Sequence, residues 1–343
     1  METTRLGRTG LIVTRTAFGV LPLQRTPLPE ATYILRRAYD AGITFYDTAR
    51  AYSNSEEKIG HALADVRDRI VIATKTMATT REGLLSDLET SLRNLQTDHV
   101  DILQLHNPAQ IPDPADPESS YAGLVEARAQ GKVRFFGLTN HSRERAAAGV
   151  ASGLFDTLQF PFCHISTPED LALIALCQQH DLGVIGMKSL CGGLLTNTRA
   201  AFAFLRQYLP LVPIWGFQRR EELEEMLAMD ADPPVLDELL QAQIADDRRN
   251  LAGNFCRACG YCLPCPAEIP IPMAARMSLL LRRMPYQQFL SDEWKEQMHR
   301  IESCTECGHC RAHCPYQIDT PALLRSMLED YEQFYADHEQ VKA

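Results

Sequence analysis

Short apolar segments alternate with amphipathic segments along most of the chain, from residue 17 to about residue 230. Apolar runs of this length are typical of buried strands, and the stretches between them carry apolar residues at helical spacing. The helical pattern is clear over 30–41, 81–94, 142–152 and 168–180. Eight strands are predicted, at 17–20, 44–47, 70–75, 100–106, 133–139, 157–160, 183–188 and 212–217.

The regular repeat of about 25 residues per strand and helix predicts an α/β fold, a (β/α)8 TIM barrel. A doubly wound sheet is the alternative, but no Gly-x-Gly-x-x-Gly turn follows the first strand. Before that strand, residues 6–11 resemble a small hairpin, which we expect to plug the floor of the barrel.

The pattern changes after residue 230, where Asp232-Pro233-Pro234 ends the last barrel helix. Residues 235–244 then predict an amphipathic connecting helix. We therefore expect a barrel over 1–230, a linker helix over 231–252, and a small, mostly helical ferredoxin-like domain over 253–343.

The charge and composition of this 343-residue chain limit the classes of partner that it is expected to bind. Its net charge of −10 argues against a nucleic-acid partner, because phosphate binding needs a basic surface. Ten acids against four arginines in 219–250 form either solvated helix faces or an acidic docking face for a redox partner protein. The sequence predicts no membrane span and no export signal, and therefore a cytoplasmic location.

Eleven cysteines in such a chain predict metal ligands or catalytic groups rather than disulfides. Eight of them form two motifs, Cys256-x2-Cys259-x2-Cys262-x2-Cys265-Pro266 and Cys304-x2-Cys307-x2-Cys310-x3-Cys314-Pro315. Cys-x2-Cys-x2-Cys places three thiolates around one 4Fe–4S cluster, and the cysteine before proline ligates the other cluster in two-cluster ferredoxins.

Two interleaved ligand sets follow from this spacing. One cluster is assigned to Cys256, Cys259, Cys262 and Cys314, and the other to Cys304, Cys307, Cys310 and Cys265. The first motif is one residue shorter than usual before its Cys-Pro. Zinc is the alternative metal, although the repeated triplet followed by Cys-Pro favours iron–sulfur. Outside the motifs, Cys177 is expected in the core, while Cys163 and Cys191 follow strands six and seven at the barrel rim, where packing is favoured over catalysis.

Polar residues stand at or just after the ends of strands two to four. They are Asp47, Tyr52, Lys75 and His106. Catalytic groups of a TIM barrel converge at this edge. A buried lysine beside a tyrosine lowers the pKa of the phenol and makes it a usable proton donor, aspartate keeps the lysine charged, and histidine orients a carbonyl oxygen.

These residues resemble the aldo-keto reductase family over about 1–230. The resemblance is carried by Asp47-Thr48-Ala49-x2-Tyr52, by Lys75, by Asp98-x2-Asp101-Ile102-Leu103-x2-His106, and by 131–140. It implies that Tyr52 is the general acid and that Lys75, Asp47 and His106 assist it. The sequence of residues 256–266 extends this resemblance. The whole chain resembles the subgroup of that family with a C-terminal ferredoxin-type domain.

The resemblance also implies sites for NAD(P)H. Asn140 and Gln159 match positions that hold the nicotinamide carboxamide. Met187 and Lys188 stand where the family has a tyrosine stacked on nicotinamide. Gly216, Arg219 and Arg220 follow strand eight, where the dinucleotide phosphates bind, but Glu222 stands near the position of an arginine that meets the 2′-phosphate, which weakens NADP.

The leading hypothesis is an oxidoreductase that reduces a carbonyl or oxidises an alcohol of a small polar substrate, with two 4Fe–4S clusters relaying electrons. Because a cluster passes single electrons and nicotinamide passes hydride, a flavin in the barrel mouth is one further possibility. The alternatives are an elimination or isomerisation by Tyr52 and Lys75 without net redox, and a non-enzymatic electron-transfer or redox-sensing protein.

Overall fold

The computed structural model describes residues 1–209, 211–251, 255–258, 260, 262–283, 286–314 and 316–338. Cys259 and Pro315 of the predicted cluster motifs therefore lie outside the described residues. The chain divides into two compact units, one of Met1–Ser189 with Asn197–Gln241 and one of Leu190–Thr196 with Ala242–Ala343.

Ten strands and fourteen helices are present in the described residues. The strands are β1 (Thr3–Arg5), β2 (Ile12–Thr14), β3 (Ala17–Gly19), β4 (Phe45–Asp47), β5 (Val71–Thr76), β6 (Val100–His106), β7 (Val133–Thr139), β8 (Thr157–Pro161), β9 (Gly183–Met187) and β10 (Leu211–Trp215). The helices are α1 (Leu28–Asp40), α2 (Ser55–Leu63), α3 (Arg81–Leu95), α4 (Ser120–Ala129), α5 (Arg143–Ser152), α6 (Pro168–Gln179), α7 (Thr198–Leu205), α8 (Arg220–Ala231), α9 (Glu238–Leu251), α10 (Ile271–Ala274), α11 (Met277–Arg283), α12 (Asp292–His299), α13 (His309–Ala312) and α14 (Thr320–His338).

The first unit is a closed barrel of eight parallel strands in the order β10-β3-β4-β5-β6-β7-β8-β9. Each predicted strand is present, which confirms the TIM-type barrel. The doubly wound alternative is wrong, because β10 pairs with β3 and leaves no open edge. Serine and threonine side chains cap four of the helices between the strands, as Thr80 does for α3 and Thr167 for α6, and fix where these helices begin.

The amino-terminal hairpin lies where the sequence predicts a plug. β1 and β2 pair in antiparallel register, and Leu6, Leu11 and Val13 pack with the inward side chains of the barrel. A side chain on Gly7, which has a φ of +50°, would collide with the backbone of Gly183 at the start of β9. The hairpin therefore fills the amino end of the strands, and the site must form at their carboxyl end.

The second unit is mostly helical, as the fold prediction requires. Its core contains apolar side chains from α10 to α14, and the Tyr331 hydroxyl of α14 donates to the Phe289 carbonyl over 2.8 Å. The connecting helix predicted over 235–244 is α9, which begins later and runs across the boundary between the two units. No helix in the described part of the chain is long and apolar enough to cross a membrane.

Candidate functional site

The structure brings the four predicted catalytic residues together at the carboxyl end of the barrel strands. Asp47 ends β4, Lys75 lies near the end of β5, and His106 ends β6. The Lys75 Nζ lies 2.6 Å from Asp47 Oδ2 and 5.1 Å from the centre of the Tyr52 ring. The Tyr52 and His106 rings meet edge to face with their centres 5.7 Å apart. The site is thus one continuous cluster.

Asp47 and Lys75 form a buried ion pair, with 2% and 0% of their surfaces exposed. Lys75 also donates to the Thr48 carbonyl over 2.7 Å. Burial raises the pKa of the Asp47 carboxyl, while the Lys75 charge and the amides of Gln104 and Gln159 act in the opposite direction. Because a buried charge needs such partners, this network keeps the lysine ammonium in one position.

Two polar residues of this network were not predicted as site residues. Gln104 Nε2 donates to Asp47 Oδ1 over 3.0 Å, and the Thr139 hydroxyl donates to Gln104 Oε1 over 2.8 Å. One sequence feature could have identified Gln104, which lies between two leucines of a predicted buried strand. A buried amide requires hydrogen-bond partners. Gln104 and Thr139 therefore orient Asp47.

The protonation of Tyr52 differs from the sequence-based expectation. Burial raises the pKa of the Tyr52 phenol above its ordinary value, and the Lys75 ammonium lowers it only in part. The lysine acts in the predicted direction, but desolvation of the phenolate has the larger effect. The phenol is therefore protonated at neutral pH and is available as a proton donor.

His106 is a neutral imidazole at this site. Burial, with a smaller effect of the Lys75 charge, lowers the pKa of His106 to about 4. Its Nδ1 is buried with no hydrogen-bond partner in the described part of the protein. His141, a second histidine that the sequence did not single out, has a pKa lowered to about 3 by burial and by Lys188 and His106. Neither ring carries a charge at pH 7.

Asn140 and Gln159, the predicted carboxamide ligands, are both buried. The Asn140 backbone N–H donates to the Gln159 carbonyl over 3.1 Å, and its side chain donates to the Pro108 carbonyl over 3.2 Å. Gln159 Nε2 donates to Asp47 Oδ2 over 3.3 Å. Both amides therefore help to order the strand ends, and their contact with a nicotinamide stays a prediction.

Met187 and Lys188 stand at the end of β9. Met187 is 8% exposed and packs among the inward side chains of the barrel. Lys188 has a φ of +60°, an uncommon conformation for a residue with a side chain, and such backbone occurs preferentially at functional sites. A flexible thioether at this point offers no flat ring for stacking.

The segment after β10 brings Gly216 and the start of α8 together. A side chain on Gly216 would lie 2.7 Å from Pro22 Cγ, so only glycine fits. Glu222 Oε2 accepts from the backbone N–H groups of Gln218 and Arg219 over 2.7 and 3.2 Å. The carboxylate therefore occupies two backbone N–H groups at the amino end of α8, the end of a helix that ordinarily attracts phosphate.

The two predicted phosphate ligands of α8 are also bound to carboxylates. Arg219 Nε donates to Glu222 Oε1 over 3.0 Å. Arg220 forms two hydrogen bonds to Glu30 of α1, of 2.7 and 2.6 Å, and this arginine holds the pKa of Glu30 below its usual range. A phosphate would have to displace these carboxylates to use either side chain.

The described parts of the two cysteine motifs share several backbone features. Ala258 and Glu306 hold the same place in their loops and both have a φ of +51°, and the glycines two residues later both have positive φ. Glu268 and Gln317, each three residues after a Cys-Pro cysteine, have φ of +52° and +54°. The Glu268 N–H donates to the Cys265 carbonyl, as the Gln317 N–H does to that of Cys314. The motifs are therefore a structural repeat.

Two cavities lie within the repeat, and each is lined by cysteines of both motifs. The cysteines that line the first are Cys256, Cys262, Cys310 and Cys314. The cysteines that line the second are Cys262, Cys265, Cys304, Cys307 and Cys310. In each cavity a triplet motif therefore meets the Cys-Pro cysteine of the other motif, as interleaved ligation requires. Thiolates at this density fit iron–sulfur clusters.

The three remaining cysteines have different surroundings. Cys177 of α6 is fully buried, and burial raises the pKa of its thiol to about 12, as expected of a core residue. Cys163 is 6% exposed in the barrel unit. Cys191, with a φ of +50°, belongs to the second unit, although the sequence placed it at the barrel rim.

Comparison with known proteins settles the family. Residues 16–203 match the Aldo/keto reductase family. The chain belongs to the aldo/keto reductase family. Residues 255–319 match the 4Fe-4S dicluster domain, so this aldo/keto reductase carries a C-terminal iron–sulfur domain.

Individual relatives match the barrel part of the chain. Aldo-keto reductase YhdN of Bacillus subtilis (strain 168) is 32% identical over 217 residues, which are 57% of this chain and 64% of that protein. L-galactose dehydrogenase of Arabidopsis thaliana is 29% identical and matches 57% of this chain and 68% of its own length. An aldo-keto reductase from Klebsiella pneumoniae in complex with NADPH superposes with a TM-score of 0.60 at 24% identity, covering 72% of this chain and 94% of that one, which shows the shared fold.

Proposed function

We propose that this aldo/keto reductase is an iron–sulfur oxidoreductase that interconverts a carbonyl and an alcohol on a small polar substrate. The observation that carries the proposal is the buried cluster of Asp47, Lys75, Tyr52 and His106 at the carboxyl end of the barrel strands. The similarity to proteins named as reductases and dehydrogenases supports the same reaction class.

Each of these four side chains contributes to the transfer of one proton to the substrate oxygen. Reduction of a carbonyl takes up two electrons, supplied by the external donor, and two protons. The carbon receives its proton from solvent water, and the oxygen receives its proton from Tyr52. Tyr52 gives its phenolic proton to the oxygen, and the Lys75 ammonium stabilises the phenolate that remains. Asp47 holds Lys75, and the neutral His106 ring donates an N–H to the same oxygen, because an imidazole with a pKa of about 4 keeps one N–H and no charge.

The two cavities of the second unit would hold one 4Fe–4S cluster each. When bound, such clusters supply electrons one at a time at a potential set by their surroundings. Cys256, Cys259, Cys262 and Cys314 would hold one, and Cys304, Cys307, Cys310 and Cys265 the other. An external redox partner protein would then be the source or acceptor of the electrons.

A direct test is an anaerobic assay of the purified, cluster-loaded protein with aldehydes, ketones and alcohols. A reduced one-electron donor, NADH and NADPH are supplied separately, and the alcohol product is identified by mass spectrometry. The proposal expects an alcohol two hydrogens heavier than the carbonyl supplied. Products of unchanged mass or of lost water would instead indicate isomerisation or elimination, and would overturn it.

Pairs of cysteine variants test the interleaved assignment. Cys256→Ala with Cys314→Ala removes two ligands of one predicted cluster, so about half of the iron and sulfide per chain should remain. Cys304→Ala with Cys314→Ala removes a ligand from each cluster and should leave almost none. Iron and sulfide analysis after anaerobic reconstitution measures both. The reverse order of the two pairs would show sequential ligation, and Cys177→Ala, a core cysteine, should keep the full content.

If a nicotinamide binds the barrel, NADH should bind more tightly than NADPH, because Glu222 repels a 2′-phosphate at the start of α8. Replacing Glu222 with Gln should shift the ratio of the two dissociation constants toward NADPH by about fivefold, from about 1 kcal/mol for a charge at a helix end. Fluorescence titration measures both constants. Glu224→Gln, on the same helix as Glu222, loses an ion pair to Arg37 of α1 and is the matched control. Tighter binding of NADPH by the unaltered protein would contradict the expectation.

A further inference from the structure

One cation of the second unit stands apart from the other charges there. Arg276 follows α10, and the residue before it, Ala275, lines the first cysteine cavity together with Cys256. The Arg276 side chain is half-buried, and its Nε is enclosed without an acceptor among the described residues. A terminal nitrogen of the guanidinium reaches the Gly192 carbonyl over 3.4 Å. The guanidinium is therefore fixed beside the cavity wall and incompletely hydrogen-bonded.

The charge of Arg276 has no carboxylate partner in the described part of the protein. Other arginines of the unit do have one, as in Arg282 with Asp330 and Arg311 with Asp319. Burial lowers the pKa of Arg276, and the thiols of Cys256 and Cys191 raise it. The Arg276 guanidinium therefore lies within electrostatic range of Cys256, a predicted cluster ligand.

This arrangement acts directly on the proposed iron–sulfur site. Four thiolates give a cluster net negative charge, and reduction adds a further electron to it. A cation nearby stabilises the reduced form more than the oxidised form, and the effect is strongest where water is excluded. The described residues that line the second cavity include no arginine or lysine. Arg311, next to Cys310, is 58% exposed and paired with Asp319.

We propose that Arg276 raises the reduction potential of the cluster held by Cys256, Cys259, Cys262 and Cys314 relative to that of the other cluster. The first electron that enters the protein is then held on this cluster. The inference rests on the proposed function only in requiring both clusters to be present. In it, Arg276 sets the reduction potential of a cluster and takes no part in the chemistry on the substrate.

The test is an anaerobic redox titration of the full cluster-loaded chain, followed by electron paramagnetic resonance. In Arg276→Gln, we expect the higher of the two midpoint potentials to fall by at least about 59 mV, which is a tenfold change in the ratio of reduced to oxidised cluster. The lower midpoint should stay unchanged. Arg311→Gln is the matched control and should move neither midpoint by a comparable amount. Two unchanged midpoints in Arg276→Gln would overturn the proposal.

Arg276→Lys separates the charge from the shape of the side chain. If charge sets the potential, the higher midpoint potential of Arg276→Lys should stay close to that of the unaltered protein. This comparison tests the proposal even if Arg276→Gln fails to bind its clusters. A fall in Arg276→Lys as large as that in the glutamine variant, or a loss of the higher couple in both, would show a purely structural role and reject the proposal. The readout does not depend on turnover, so a shift in a protein that reduces no carbonyl would count against the proposed function alone.

Discussion

Replacing Tyr52 with Phe is expected to lower kcat by about 10²–10⁴-fold, the usual contribution of a positioned proton donor. The substitution removes one hydroxyl and keeps the ring, which packs edge to face against His106 and below the Lys75 ammonium. Substrate binding and cluster content should therefore change little. Steady-state kinetics of the reductase reaction, with iron analysis of the same sample, measure these quantities.

Tyr121 provides the matched control for this experiment. Its ring, on α4, packs edge to face on Phe136 of β7. Tyr121→Phe should keep full turnover. Full turnover in Tyr52→Phe as well would remove Tyr52 from the chemistry and leave the proposed mechanism without its proton donor.

Replacing Lys75 with Met should both unfold the barrel more easily and stop turnover. The variant leaves the Asp47 carboxylate buried without its cation, and breaking such a pair costs about 3–5 kcal/mol. It also removes the charge that stabilises the Tyr52 phenolate. Urea unfolding of the barrel measures the first effect, and kcat measures the second.

A second substitution separates these two effects. Adding Asp47→Asn to Lys75→Met removes the unpaired carboxylate, so much of the stability should return while turnover stays lost. Lys132→Met, which breaks an exposed pair with Glu89, should cost at most about 1 kcal/mol and leave kcat unchanged. Recovery of turnover in the double variant would show that Lys75 serves stability alone.

The sequence predicts the barrel well because its periodicity reflects burial on both faces of each strand. The eight strands, the plug with Leu6 and Leu11, and the convergence of Asp47, Lys75 and His106 all follow from that pattern. The cysteine spacing likewise predicts which motifs share a cavity, because the length between ligands limits where each thiolate can reach.

Features that depend on distant segments could not be predicted in this way. Gln104 and Thr139 meet Asp47 only because the register of β6 and β7 places them side by side. The pKa of Tyr52 depends on a balance between Lys75 and burial, and the sequence gives the sign of the first effect and not the size of the second. The assignment of Leu190–Thr196 to the second unit depends on its contacts within the folded chain.

The central claim is that proton transfer from Tyr52 and electron transfer from the clusters belong to the same reaction. The most direct measurement is a single turnover, in which protein reduced anaerobically and freed of excess reductant is mixed with a carbonyl substrate. Cluster absorption and alcohol are then followed together. The account predicts that the absorption of the oxidised clusters returns as one alcohol forms for every two electrons lost, and that Tyr52→Phe shows neither change. Alcohol formed while the clusters stay reduced would contradict it.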